Sequence, residues 1–250
     1  MTIKPQQLAQ AQINSVIALY SNGQIQEALD SVEALIKDYP NEALLYNVSG
    51  ACYAGLGHLD AAIKRYEQAL EIKPDYAEAH NNLGNALKEL NQLDTALKSY
   101  EKALAIKPDF AEVHYNLGIT LQGLGQLDAA IKHYEQALEI KPDYTEAFNN
   151  LGSVLKELGQ LDTAVKSYEK VLAVKPDFAE AHYNLAVTLQ GLGQLDAAVK
   201  SFEKAISIKP DFADAHYNLG STLKELNQLD AAVKSYEKAL AIKPDHVEAH

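Results

Sequence analysis

Residues Ala77–Phe110 read AEAHNNLGNALKELNQLDTALKSYEKALAIKPDF, and this stretch decides the fold because its pattern returns on both sides at unchanged length. Pro40, Pro74, Pro108, Pro142, Pro176, Pro210 and Pro244 each stand 34 residues beyond the last, and only Pro5 is off this grid. A fixed period of that size marks stacked repeats, in which each unit touches only its neighbours, rather than a closed globule. Inside the stretch, Leu83, Leu87 and Leu90 recur at helical spacing, and Ala96, Leu97, Tyr100, Ala103 and Leu104 form a second apolar stripe after a short break. Each unit is therefore predicted to be a pair of amphipathic helices.

The ends of both helices are marked. Asp75 with Glu78 reads as a capping-box-like start for the first helix, repeated as Asp109 with Glu112, Asp143 with Glu146, Asp177 with Glu180 and Asp211 with Asp214. That helix should stop at Asn91, and at Gly23, Gly57, Gly125, Gly159, Gly193 and Asn227 in the other units, residues that adopt a left-handed conformation at low cost. The second helix starts near Asp94 and ends at the next Lys-Pro-Asp, which cannot continue it. Ala28, Ala62, Ala96, Ala130, Ala164, Ala198 and Ala232 hold one position of the second helix, and Gly50, Gly84, Gly118, Gly152 and Gly220 one position of the first. A glycine inside a helix costs about 1 kcal/mol against alanine, so its recurrence predicts two backbones in close approach, with wider pairs where Ala186 and Val16 interrupt the series.

The set Leu83, Gly84, Leu87, Ala96, Tyr100, Ala103 and Pro108, with its equivalents over about residues 9–246, resembles a tetratricopeptide repeat (TPR) array. The resemblance implies an all-α fold, a right-handed α-solenoid of stacked antiparallel helix pairs forming a superhelix. The Asn-Leu-Gly runs and the Lys-Pro-Asp-Phe/Tyr endings look most like the superhelical arm of O-GlcNAc transferases and related bacterial TPR proteins. The departure is at the large aromatic near the start of the first helix, where His80, His114, His182 and His216 stand, with Tyr46 and Phe148 keeping the aromatic.

Composition narrows the function. A net charge of −12 opposes nucleic acid and anionic membrane as partners and favours neutral to basic proteins. One cysteine excludes an internal disulfide framework, and Cys52, on a first helix, reads as a small buried residue. No cysteine and histidine cluster has metal spacing; histidines from successive units, about 10 Å apart, are too distant to share an ion, so they are expected to pack between helices. No nucleophile with an ordered base, phosphate loop or cofactor motif stands out, so neither catalytic nor metal-binding residues nor a cofactor are expected. No apolar run is long enough for a signal peptide or a membrane span, which predicts a cytoplasmic protein.

Taken in order, residues 1–8 form a polar lead and the repeats run 9–42, 43–76, 77–110, 111–144, 145–178, 179–212 and 213–246. The first is the most diverged, with Val32 in place of the large aromatic and a polar first helix suited to capping a solenoid. Residues 247–250 begin the first helix of another unit, so the array is expected to continue in a longer protein or to meet a partner at that end, including another copy end to end.

In a TPR-like array the first helices line the concave face. Asn82, Asn116, Asn150, Asn184 and Asn218 form a ladder there, one per repeat, flanked by Tyr115, Tyr183 and Tyr217 and, one turn on, by Asn85. An amide offers a donor and an acceptor, so such a ladder can grip the main chain of an extended peptide without reading its sequence. The resemblance to the transferase arm implies the same use. The alternative, asparagines and tyrosines bonded or stacked between neighbouring helices as spacers, stands equally open on sequence alone. The functional expectation is a non-catalytic protein-interaction scaffold. The alternatives are a substrate-recruiting arm of a larger transferase and a self-associating array.

Overall fold

The computed structural model describes residues 5–244, with side chains from residue 11 onward. The segment Val247–His250 and the first half of the predicted lead lie outside the described residues. The chain divides into two compact units, Met1–Leu124 and Gly125–His250. The first holds α1 (Pro5–Ser21), α2 (Ile25–Asp38), α3 (Ala43–Gly55), α4 (Leu59–Ile72), α5 (Ala77–Glu89), α6 (Leu93–Ile106) and α7 (Ala111–Gly123). The second holds α8 (Leu127–Ile140), α9 (Thr145–Glu157), α10 (Leu161–Val174), α11 (Ala179–Gly191), α12 (Leu195–Ile208), α13 (Ala213–Glu225) and α14 (Leu229–Ile242). Every regular element among the described residues is an α-helix.

Within each unit, consecutive helices pack as antiparallel pairs and each pair packs on the next, the stacking of an α-solenoid. Odd-numbered helices also touch one another directly, α3 with α5 and α5 with α7 in the first unit, α9 with α11 and α11 with α13 in the second. These odd helices form one face of each unit.

Chain reversal depends on the left-handed residues picked out above. Asn91 and Asn227 sit at φ 59° and 60°, and Gly23, Gly57, Gly125, Gly159 and Gly193 between 70° and 79°. At the end of α5, the Gln92 amide donates to the Leu87 carbonyl and the Asn91 amide to that of Lys88, both at 2.9 Å, which is the Schellman closure.

Helix starts differ from the expectation. The residue before α5 is Tyr76, and before α7, α9, α11 and α13 it is Phe110, Tyr144, Phe178 and Phe212; none of these starts has a side-chain cap. The aspartates stand one residue too early to reach the free amides of the first turn. The acids three residues on serve otherwise. Glu78 pairs with Lys107 at 3.8 Å, Glu146 with Lys175 at 2.7 Å and Glu180 with Lys209 at 3.4 Å. The Lys107 ammonium also lies 4.5 Å from the Phe110 ring centroid, and that of Lys209 is 4.9 Å from Phe212. The Lys-Pro-Asp-aromatic ending is thus a turn that folds lysine back over its own aromatic and onto the preceding first helix. The hydrogen bond from Lys175 holds the Glu146 carboxyl below the ordinary carboxylate range.

The glycine positions also need correction. A Cβ added at Gly84 would lie 2.6 Å from the Tyr100 ring, at Gly50 2.5 Å from Tyr66, at Gly152 2.8 Å from Tyr168 and at Gly220 2.8 Å from Tyr236. An aromatic ring of the second helix, and not its backbone, lies against the bare backbone of the first. At the two positions without the glycine, Ala186 shares its register with Phe202 and Val16 with Val32, all buried. The recurrent alanines Ala28, Ala62, Ala96, Ala130, Ala164 and Ala198 have no exposed surface, and neither has Cys52. Burial pushes the Cys52 thiol up to about 11, which leaves it protonated and inert.

Candidate functional site

The odd-helix face carries the asparagines, and their bonds run between repeats. Asn82 on α5 donates from Nδ2 to Asn47 Oδ1 on α3 at 3.1 Å, and Asn116 on α7 donates to Asn81 Oδ1 on α5 at 3.1 Å. In the second unit, Asn184 donates to Asn149 Oδ1 at 3.4 Å and Asn218 to the Tyr183 hydroxyl at 2.9 Å. Each bond reaches back 35 residues, one more than the repeat. Asn116 is 7% exposed, whereas Asn82, Asn150, Asn184 and Asn218 are half-buried. One amide hydrogen of each of these four donors therefore ties neighbouring odd helices together.

Tyr115, Tyr183 and Tyr217 are half-buried. The Tyr183 ring lies 4.9 Å from Phe212 and 5.9 Å from Phe202, and Tyr217 lies 5.5 Å from Tyr236. The Tyr183 and Tyr217 rings thus pack on aromatic rings of their own repeats.

Asn85 is held differently. Its Oδ1 accepts from the Tyr100 hydroxyl at 2.7 Å, and Tyr100 itself is fully buried. This bond turns the Asn85 amino group outward. Asn82 and Asn85 line a depression of about 290 Å³ on the first unit, together with Tyr20, Ala51, Tyr66 and Glu89. With the Asn82 amide engaged by Asn47, its carbonyl is the polar atom left for the depression, beside the amino group of Asn85. An acceptor and a donor three residues apart on one helix face match the N–H and C=O of a peptide main chain.

Lys88 on α5 and Lys156 on α9 were passed over in the sequence because one lysine in a helical repeat looks like any other. They are half-buried and form no ion pair among the described residues. Burial holds both ammonium groups below the ordinary lysine value. Nε2 of His80, His114, His182 and His216 each lies 3.0 Å from the carbonyl of the proline six residues before, and His80 and His114 are buried. Among the described residues no three His, Cys, Asp or Glu side chains gather as a metal site, and no helix is long and apolar enough to cross a membrane.

A repeated helical hairpin with a polar face built from one helix of each pair defines the class of helical-repeat interaction scaffolds. Family models described as TPR repeat match residues 50–91, 84–125 and 191–226, and models described as tetratricopeptide repeat match 109–177, 155–201 and 213–246. The chain belongs to the tetratricopeptide repeat family, whose members are interaction scaffolds that bind protein or peptide partners. Among solved structures it is similar to YrrB, described as "a TPR protein with an unusual peptide-binding site", at 29% identity over 74% of this chain and 95% of that one, with a TM-score of 0.66. It is likewise similar to MamA, at 29% identity over 66% of this chain and 96% of that one, TM-score 0.62. The C-terminal part of a TPR repeat-containing protein from Cytophaga hutchinsonii shares the fold at 19% identity, covering 95% of this chain and 97% of its own, TM-score 0.76. A comparison with curated proteins finds no match.

Proposed function

We propose that the odd-helix face binds an extended, neutral to basic segment of another protein, gripping its main chain through asparagine side chains. The observation that carries this reading is the depression between α3 and α5 lined by Asn82 and Asn85, whose Nδ2 and Oδ1 atoms respectively are held by Asn47 and Tyr100. Asn116 and Tyr115 lie on the odd helices of the first unit, and Asn150, Asn184, Asn218, Tyr183 and Tyr217 on those of the second, so each unit offers a face of this kind. At Asn82 the amide does double duty: one hydrogen braces the neighbouring repeat, and the carbonyl is offered to a ligand. The similarity to YrrB, with its described peptide-binding site, supports a peptide as the ligand class.

The test is Asn85→Asp. This change keeps an acceptor for the Tyr100 hydroxyl, so thermal unfolding should stay nearly constant, but it replaces the outward donor with a carboxylate facing a peptide carbonyl. Peptide affinity measured by calorimetry against segments selected on the wild-type protein is expected to fall about tenfold. Unchanged affinity would remove Asn85 from the contact.

A second reading, end-to-end self-association, rests on α14. Leu229 and Val233 are 56% and 54% exposed, whereas Leu195 and Val199 at the same register of α12 are half-buried. Sedimentation across rising concentration should then show a dimer that Val233→Glu abolishes; a monomer throughout would discard this reading.

A further inference from the structure

The even-helix side of the first unit contains a groove of about 870 Å³ between α4 and α6, lined by Glu67, Glu71, His80, Ser99 and Lys102. The preceding repeat shows what such a groove holds. There Arg65 on α4 reaches Glu33 on α2 at 2.5 Å, donates to Gln68 at 2.9 Å, and lies with its guanidinium carbon 5.8 Å from the Tyr46 ring centroid. Tyr46 is pinned by its hydroxyl, which donates to the Pro40 carbonyl at 3.0 Å.

Moving every one of these residues on by one repeat reaches the open groove. Glu33 becomes Glu67, Pro40 becomes Pro74, Tyr46 becomes His80 and Arg65 becomes Ser99. The ring is pinned in the same manner, since His80 Nε2 stands 3.0 Å from the Pro74 carbonyl. The carboxylate and a pinned ring remain and the guanidinium is gone, while Gln68, the second acceptor for Arg65, becomes the Lys102 ammonium. Two further facts mark the site as incomplete. His80 is 7% exposed and its Nδ1 has no hydrogen-bond donor, and Glu67 is exposed without an ion-pair partner. Burial holds the His80 imidazole below its ordinary value, which keeps the ring neutral and compatible with a cation.

We propose that the α4–α6 groove takes an arginine side chain from a basic partner, seated on His80 and paired with Glu67 as Arg65 is seated on Tyr46 and paired with Glu33. Arginine is favoured over lysine because a planar guanidinium can stack on the ring while keeping donors for the carboxylate. Two carboxylates against the Lys102 ammonium leave the groove negative. The corresponding groove of the second unit, lined by Glu203, His216 and Ser235, keeps both lysine registers, Lys234 for Lys98 and Lys238 for Lys102, but has Ser207 where Glu71 stands, so with one carboxylate fewer it serves as an internal control that should stay empty. This surface lies on the even helices and is independent of the asparagine face.

The experiment titrates the full chain with a glycine-serine peptide carrying three spaced arginines, and with its lysine twin, following backbone and histidine side-chain NMR signals. Shifts are expected at His80 and Ser99 but not at His216, with the lysine peptide about fivefold weaker. Ser99→Arg supplies the missing group from within, as the neighbouring repeat does, and should abolish the shifts at His80 while the spectrum stays folded. Glu67→Gln should weaken binding about fivefold. Silence at His80, equal binding of the two peptides, or binding that survives Ser99→Arg would overturn the proposal.

Discussion

Replacing Tyr100 by alanine is expected to lower the stability of the first unit by about 3–5 kcal/mol, the cost of emptying a buried aromatic site. The ring has no exposed surface and lies on the bare backbone at Gly84, so it fills the contact between the two helices of its repeat. Gly84→Ala acts on the same contact from the other side. Its Cβ would stand 2.6 Å from the ring, and the strain should cost about 1–3 kcal/mol. The chain's own Ala186 and Phe202 suggest how the clash is relieved, because a ring without a hydroxyl has no hydrogen bond to hold it in place. Gly84→Ala combined with Tyr100→Phe should therefore cost less than the two changes summed. The hydroxyl can be isolated as well. That of Tyr100 bonds Asn85, and Tyr100→Phe should lose about 1 kcal/mol. The Tyr168 hydroxyl is buried without a partner, so Tyr168→Phe should be neutral or stabilising. Urea unfolding of the five variants checks the set; an equal loss from both Tyr→Phe changes would refute the distinction.

The same contact shows what could be read from the sequence. Period, helix pairs and stops were legible because they depend on local spacing, and each glycine or asparagine chosen as a stop has positive φ. Partners 16, 29 and 35 residues apart were not. In near-identical repeats every offset close to the period joins similar residue types, so the sequence does not say whether Asn82 bonds a residue 34 or 35 positions earlier. The acids Glu78, Glu146 and Glu180 fitted a capping role on spacing alone, and only the fold placed them against Lys107, Lys175 and Lys209. The glycine series pointed to crowding without naming the ring that causes it. At the candidate site, the asparagine register was legible, but the bond that directs the Asn85 amide was not, since it depends on Tyr100 from the second helix.

Asn116→Ala is expected to destabilise the first unit by about 1–3 kcal/mol, because it strands the Asn81 carbonyl inside the stack. Asn81 is 3% exposed and Asn116 7%, so water cannot replace the lost donor without opening the contact between α5 and α7. Alanine is the better helix former by up to about 0.7 kcal/mol, which offsets part of the loss. Replacing both asparagines by alanine removes donor and acceptor together and should recover much of the penalty; the remainder reflects the bond from Asn81 to Glu112 at 3.4 Å. A double-mutant cycle by urea unfolding measures the coupling. If the single change is neutral, the amide does not brace the repeats, and the ladder loses its structural share. If the double change costs the full sum, the bond between α5 and α7 contributes nothing of its own. A coupled loss would explain why a poor helix former recurs at this register in every unit from Ala77 to Lys243, since an amino group there joins two repeats.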